Sequence, residues 1–229
     1  MQEVCYSISV AHLLLMNQFL LLQYNAYSMT NFIFVIDVSG NPYQNTYISL
    51  VSVIDNYHRI VKDFRFQFPD ACRQKGSDLK EHKLKSIVSF LSDNGVLMRS
   101  MAFSNTDWNY YRQKYGNNAY FKEKIFSVIY FMLLENVSSH NKSYRVTVDK
   151  ENFMNIDKVL ESCKKIARAN KYFFNFNVSH IKLDELIKFA DYTASAHRKV
   201  DVNHLKLIRN LRFINSTLSG LYLKKVFGP

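Results

Sequence analysis

Apolar and polar positions alternate along this chain at two periods, and the switches between them mark out the elements. Phe32 to Ile36 is an uninterrupted apolar run between Asn31 and Asp37, which reads as a buried strand. Asn41-Pro42 is turn chemistry, and the β-branched stretch Thr46 to Ile54 reads as the hairpin partner. Asp55-Asn56 is suited to cap a helix running to about Phe66. A polar loop, Arg73 to Asp78, follows Phe68-Pro69-Asp70. The apolar spacing Leu84, Ile87, Val88, Leu91 then predicts a helix to about Ser92. Asn94-Gly95 stops it before a third strand, Val96 to Phe103.

The second half repeats this grammar. Asn105-Thr106-Asp107 suits a helix start, and Tyr120 to Asn136 is apolar nearly all round after Ile125, as expected of a helix buried between layers. Tyr144 to Val148 is a strand leading into Asp149, and Met154 to Asn170 an amphipathic helix. Tyr172 to Val178 is a fifth strand, and Leu183 to Arg198 a helix carrying Asp191. Val202 to Ile214 reads as a last, basic helix. The sum is an α/β domain over 29–200, with a mixed sheet of about five strands flanked by helices, an N-terminal appendage over 1–28 and a basic C-terminal helical segment over 201–229. Residues 1–28 read either as an added helix or as an extension upstream of a start at Met29. Their apolar runs are interrupted by Asn17 and Gln18 and no basic residue opens them, a poor fit to a signal peptide or a membrane span.

Composition sharpens the picture. Gly (6) and Pro (3) are scarce while Phe (18) and Tyr (15) are frequent, which excludes a disordered or loop-rich chain. Cys5, Cys72 and Cys163 are odd in number, with no metal-ligand or redox spacing, so reduced thiols and a cytoplasmic location are expected. The formal charge is +11; from Lys158 onward 14 Lys/Arg stand against 5 Asp/Glu, a balance of +9. Such asymmetry suits a polyanion such as nucleic acid, although a solvated basic surface has the same composition.

Candidate chemistry lies at the strand ends. Asp37 and Asp149 each close an apolar strand, and a buried carboxylate needs a partner. If the two strands are neighbours, their carboxylates meet and demand a proton or a divalent cation between them. Asp191, in Phe189-Ala190-Asp191-Tyr192-Thr193-Ala194, sits among small residues that permit close approach. Hard oxygen ligands suit Mg²⁺ or Mn²⁺, and the seven histidines show no ligand spacing. His180 and His197 flank the Asp191 helix and are candidates for proton transfer, although ordinary surface histidines are the commoner case. Ser39 lacks the His and elbow of a serine nucleophile. Trp108-Asn109-Tyr110-Tyr111 is a base-stacking candidate, although a helix packing face explains it as well. Lys206, Arg209 and Arg212 recur every three residues, the spacing of a phosphate-contacting helix face or of a solvated one.

The order of acids, from the first strand, a middle strand and a late helix, resembles the logic of ribonuclease-H-like folds. Within that class, Ile36-Asp37-Val38-Ser39-Gly40 resembles the Asp-Glu-Ser-Gly opening of domain-of-unknown-function family 3800. Lys75-Gly76-Ser77 resembles its Glu-x-Lys-Gly-Ser loop, Val148-Asp149 its middle acid and Ala190-Asp191-Tyr192 its closing helix. The resemblance spans Asn31 to Lys199 and implies a ribonuclease-H-like domain with metal-dependent nuclease activity. Asp37, Ser39, Gly40, Lys75, Asp149 and Asp191 carry over; Val38 and Arg73 stand where the family has Glu. Glu151 is suited to supply a missing carboxylate if the strand continues through it, since period-2 alternation would then turn it to the face of Asp149. On this reading Asp37, Asp149 and Asp191, with Glu151, hold the metal, and Lys75 contacts a phosphate. The alternative is a nucleic-acid-binding or accessory protein that has lost part of the site.

Overall fold

The computed structural model describes residues 32–54, 57–179 and 185–228. The expected appendage over 1–28, the cap at Asp55-Asn56 and His180 lie outside the described residues. β1 (Phe32–Ser39), β2 (Thr46–Ile54) and β3 (Leu97–Phe103) form an antiparallel meander. β4 (Ser143–Asp149) joins β1 in parallel, β5 (Phe173–Ser179) joins β4 in parallel, and β6 (Leu211–Phe213) joins β3 in parallel. The order β5-β4-β1-β2-β3-β6 makes a mixed sheet of six strands, one more than the pattern predicts. This architecture is compatible with a ribonuclease-H-like fold.

Strand alternation divides the core in two. Phe34, Ile36 and Val38 face one side with Val146 and Val148, packed under α4 (Phe121–Glu135) and α5 (Ile156–Ala169). Val35, Val51 and Val53 face the other, under α1 (His58–Gln67), α2 (Glu81–Asp93) and α6 (Glu185–Lys199). The nearly all-apolar α4 is buried as its composition predicts: Ile125, Phe126, Ile129, Leu133 and Leu134 face no solvent. α5 and α8 (Gly220–Phe227) also pack against it. Trp108, in α3 (Asn105–Tyr115), is fully buried. It packs edge-on to Phe103 and donates its indole N–H to Thr46 Oγ1 at 3.1 Å. It is a packing residue, not a stacking platform.

The C-terminal segment departs from expectation. A helix over 202–214 does not form; α7 is the single turn Val202–Leu205, and the chain then turns into β6. The reason is non-local. β3 offers an open edge, and the backbone ladder is completed by Met98 N–H to Asn210 O (2.9 Å) and Ile214 N–H to Ser100 O (2.8 Å). Asn210 is further fixed by its own N–H to Ser92 Oγ and its side-chain amide to Ser92 O. An isolated helix of this length is marginal, so a ready-made ladder outcompetes it. Lys206, Arg209 and Arg212 therefore share no helix face.

Candidate metal centre

β1 and β4 are in register up to Ile36 and Val148, so Asp37 and Asp149 stand side by side one residue further on. Alternation turns Asp37 away from the Ile36 side and toward α6. Glu151 follows, two residues past Asp149. One carboxylate oxygen from each of Asp37, Asp149 and Glu151 lies within 4.8 Å of the other two. The Asp149 Oδ1 also accepts the Lys150 backbone N–H at 2.9 Å.

Asp191 comes to the same cleft from α6 but stands outside that triad. Its Oδ2 accepts the Gly76 N–H at 2.7 Å and its Oδ1 the Ser195 hydroxyl at 3.3 Å. Helix and sheet are tied together nearby, where Ser49, the cross-strand partner of Asp37, donates to Ala190 O. Val38 packs into the opposite core, so the absence of Glu there takes nothing from the face on which the triad stands. Arg73 lies in the 3₁₀ turn Ala71–Arg73 and is exposed.

The electrostatics of this arrangement all point one way. Asp37 is only 5% exposed. Burial, then Asp191, Glu151 and Asp149, push its carboxyl well above the ordinary range. Burial and then Asp149 raise Glu151 to about 7. Burial also raises Asp191, against the Gly76 N–H, the Ser195 hydroxyl, Lys75 and Arg198. Four carboxylates line one cleft of about 360 Å³, with Lys75, Lys150, Lys188 and Arg198 around them. Lys188 is buried and its ammonium is committed to Cys72 O. Lys75 and Arg198 form no ion pair among the described residues.

This donor set fits a hard divalent cation. With metal–oxygen distances of about 2.1 to 2.5 Å, ligand oxygens sit roughly 3 to 5 Å apart, the spacing the triad already has. Among the described residues no His or Cys belongs to the cluster, which argues against a zinc-type site. Asp37, Asp149 and Glu151 would hold the ion; the arrangement does not itself select between Mg²⁺ and Mn²⁺.

The remaining candidates fall elsewhere. Lys206, Arg209 and Arg212 are exposed and do not line the cleft. His197 is turned into the fold, with Nδ1 at 2.8 Å from Ser100 Oγ and its ring against Tyr47 and Phe213. Burial lowers it to about 4, so it is neutral at physiological pH and structural. Sequence reasoning missed Lys188, Ser195 and Arg198. Their 3- and 4-residue spacing with Asp191 on one helix face was the available signal. No family model matches the chain, and no curated protein matches it.

Proposed function

We propose that this protein is a divalent-metal-dependent phosphodiesterase acting on nucleic acid, with the ribonuclease-H-like arrangement of acids that its motifs resemble. The observation that carries this reading is the meeting of Asp37, Asp149 and Glu151 within one coordination radius. When bound, a divalent ion supplies an activated water and stabilises the leaving oxygen of an in-line displacement. The chain's own residues do the rest. Asp37, Asp149 and Glu151 hold the cation, and Asp191 anchors the Lys75 loop while adding negative charge beside Asp37. Lys75 and Arg198, both in the cleft and in no ion pair among the described residues, neutralise substrate phosphate oxygens. The +11 charge favours a polyanionic substrate.

Purified protein with Mn²⁺ or Mg²⁺ should cleave single- or double-stranded DNA or RNA, and Asp37→Asn should abolish cleavage. Equal turnover by parent and variant would sink the assignment. The second reading, a binding protein without turnover, is favoured by Arg73, a cation where the resembled loop has an acid. It predicts salt-sensitive binding and no metal-dependent product. No described helix is long and apolar enough to cross a membrane. We place the protein in the cytoplasm on the strength of its odd, widely spaced cysteines.

A further inference from the structure

The segment that carries Lys75 is strapped to α6 at every turn. Tyr192 donates its hydroxyl to Ala71 O at 2.7 Å, and Lys188 donates to Cys72 O. Gly76 donates its N–H to Asp191, and Lys199 donates to Ser77 O and to Leu79 O. Gly76 sits at the centre of this contact and is buried. Its backbone is not in the left-handed region, so glycine is not there for conformational freedom. It is there for space. A Cβ at this position would lie 2.6 Å from Ser195 Oγ, 2.8 Å from Ser195 Cβ and 2.9 Å from Asp191 O. Any side chain would push the strap off the helix, because helix backbone cannot yield as a flexible side chain would.

The residue immediately before this contact is Lys75. Its ammonium is close enough to act on both Glu151 and Asp191, and it lines the cleft. We propose that Gly76 is a positioning residue: its missing Cβ lets the strap dock on the Asp191–Ser195 turn of α6, and the dock holds Lys75 beside the carboxylates as the contact for a substrate phosphate. The phosphate role rests on the phosphodiesterase reading. The docking role does not.

The test uses the full chain and four variants, Gly76→Ala, Ser195→Gly, their combination and Ser195→Thr. The first readout is acylation of Lys75 by an N-hydroxysuccinimide ester, measured by mass spectrometry relative to Lys150. Displacing the strap from α6 should move Lys75 out of the cleft and raise this ratio about threefold in Gly76→Ala, as its amine becomes more accessible to the reagent. The double variant should return part of the way, because Ser195→Gly removes two of the three clashes while Asp191 O remains. If Gly76→Ala does not fold, Ser195→Thr adds a methyl at the same contact from the helix side and should raise the ratio too. A parental ratio in every folded variant overturns the proposal.

The second readout is binding of a fluorescent oligonucleotide in Ca²⁺, expected to weaken about tenfold in Gly76→Ala and to recover in part in the double variant. Mn²⁺ affinity by calorimetry should stay within about threefold of the parent, since the triad is not touched. A loss of Mn²⁺ affinity equal to the loss of oligonucleotide affinity would mean general collapse of the cleft, and would also overturn it. Should the parent neither bind nor cleave nucleic acid, the phosphodiesterase reading falls, and with it the phosphate role, while the Lys75 ratio still decides whether Gly76 positions that side chain.

Discussion

At Asp37, burial and three neighbouring acids act in the same direction, so the side chain that anchors the cluster is also its least comfortable anion. Asp37→Asn should therefore separate stability from function. Without metal the variant should melt higher than the parent, because the cost of burying that carboxylate and its repulsion by the neighbouring acids are both gone. It should nonetheless lose Mn²⁺ binding and at least about 100-fold in cleavage. Thermal melts with and without Mn²⁺ check both halves. Tyr130 offers a milder case, as its buried hydroxyl has no hydrogen-bond partner among the described residues. Tyr130→Phe removes an unsatisfied group without opening a cavity, so its melting temperature should equal or exceed that of the parent. His197 gives a pH signature. Its folded pKa of about 4 is below the ordinary 6.5, so the unfolded chain binds the extra proton first as pH falls. Stability from this site is complete above about 6.5 and is lost as pH drops toward 4, by on the order of 3 kcal/mol. Melts across that window should flatten in His197→Phe.

Among the elements, those whose signals are local were legible and those decided by a distant partner were not. The run into Asp37 and the run into Asp149 specify buried strands by themselves, and parallel pairing of β1 with β4 does the rest. Glu151 was reachable because it lies two residues past the strand-end Asp149, although β4 itself ends at Asp149 and the carboxylate comes from the loop that follows. The α6 stripe of Lys188, Asp191, Ser195 and Arg198 was present in the spacing but silent about what it would touch, since the strap it binds lies more than a hundred residues earlier. The last basic segment misled for the same reason. Its periodic cations fit a helix, yet the open edge of β3 captured residues 211–213 as a strand. Asn210→Ala removes the amide that holds the chain to Ser92 O and should cost about 1 kcal/mol, or a few degrees in melting temperature. An unchanged melt would mean that β6 is held by its ladder bonds alone.

For the whole molecule, the decisive quantity is the sign of the cleft. Four carboxylates and four cations line it, so charge nearly cancels there while the chain as a whole carries +11. A polyanion is thus attracted by the outer surface but meets, at the metal-free cleft, no net charge to hold its phosphates. Raised carboxyl pKa values say the same thing in another form: the empty cluster prefers to hold protons. For Glu151 the native state binds more protons than the unfolded one between 4.5 and about 7, so metal-free stability falls as pH rises through that window. A bound divalent cation removes both penalties at once. Oligonucleotide affinity should consequently be metal-dependent even without turnover, at least about tenfold tighter in Ca²⁺ than in EDTA at matched ionic strength. The gain should vanish in Asp37→Asn and should grow with pH between 5 and 8 in the parent, as the carboxyls lose their protons and the cation binds more tightly. The steep salt dependence contributed by surface Lys and Arg should remain in both proteins. Equal affinity in Ca²⁺ and EDTA would leave the basic surface as the whole of the interaction and would detach nucleic-acid binding from the acid cluster.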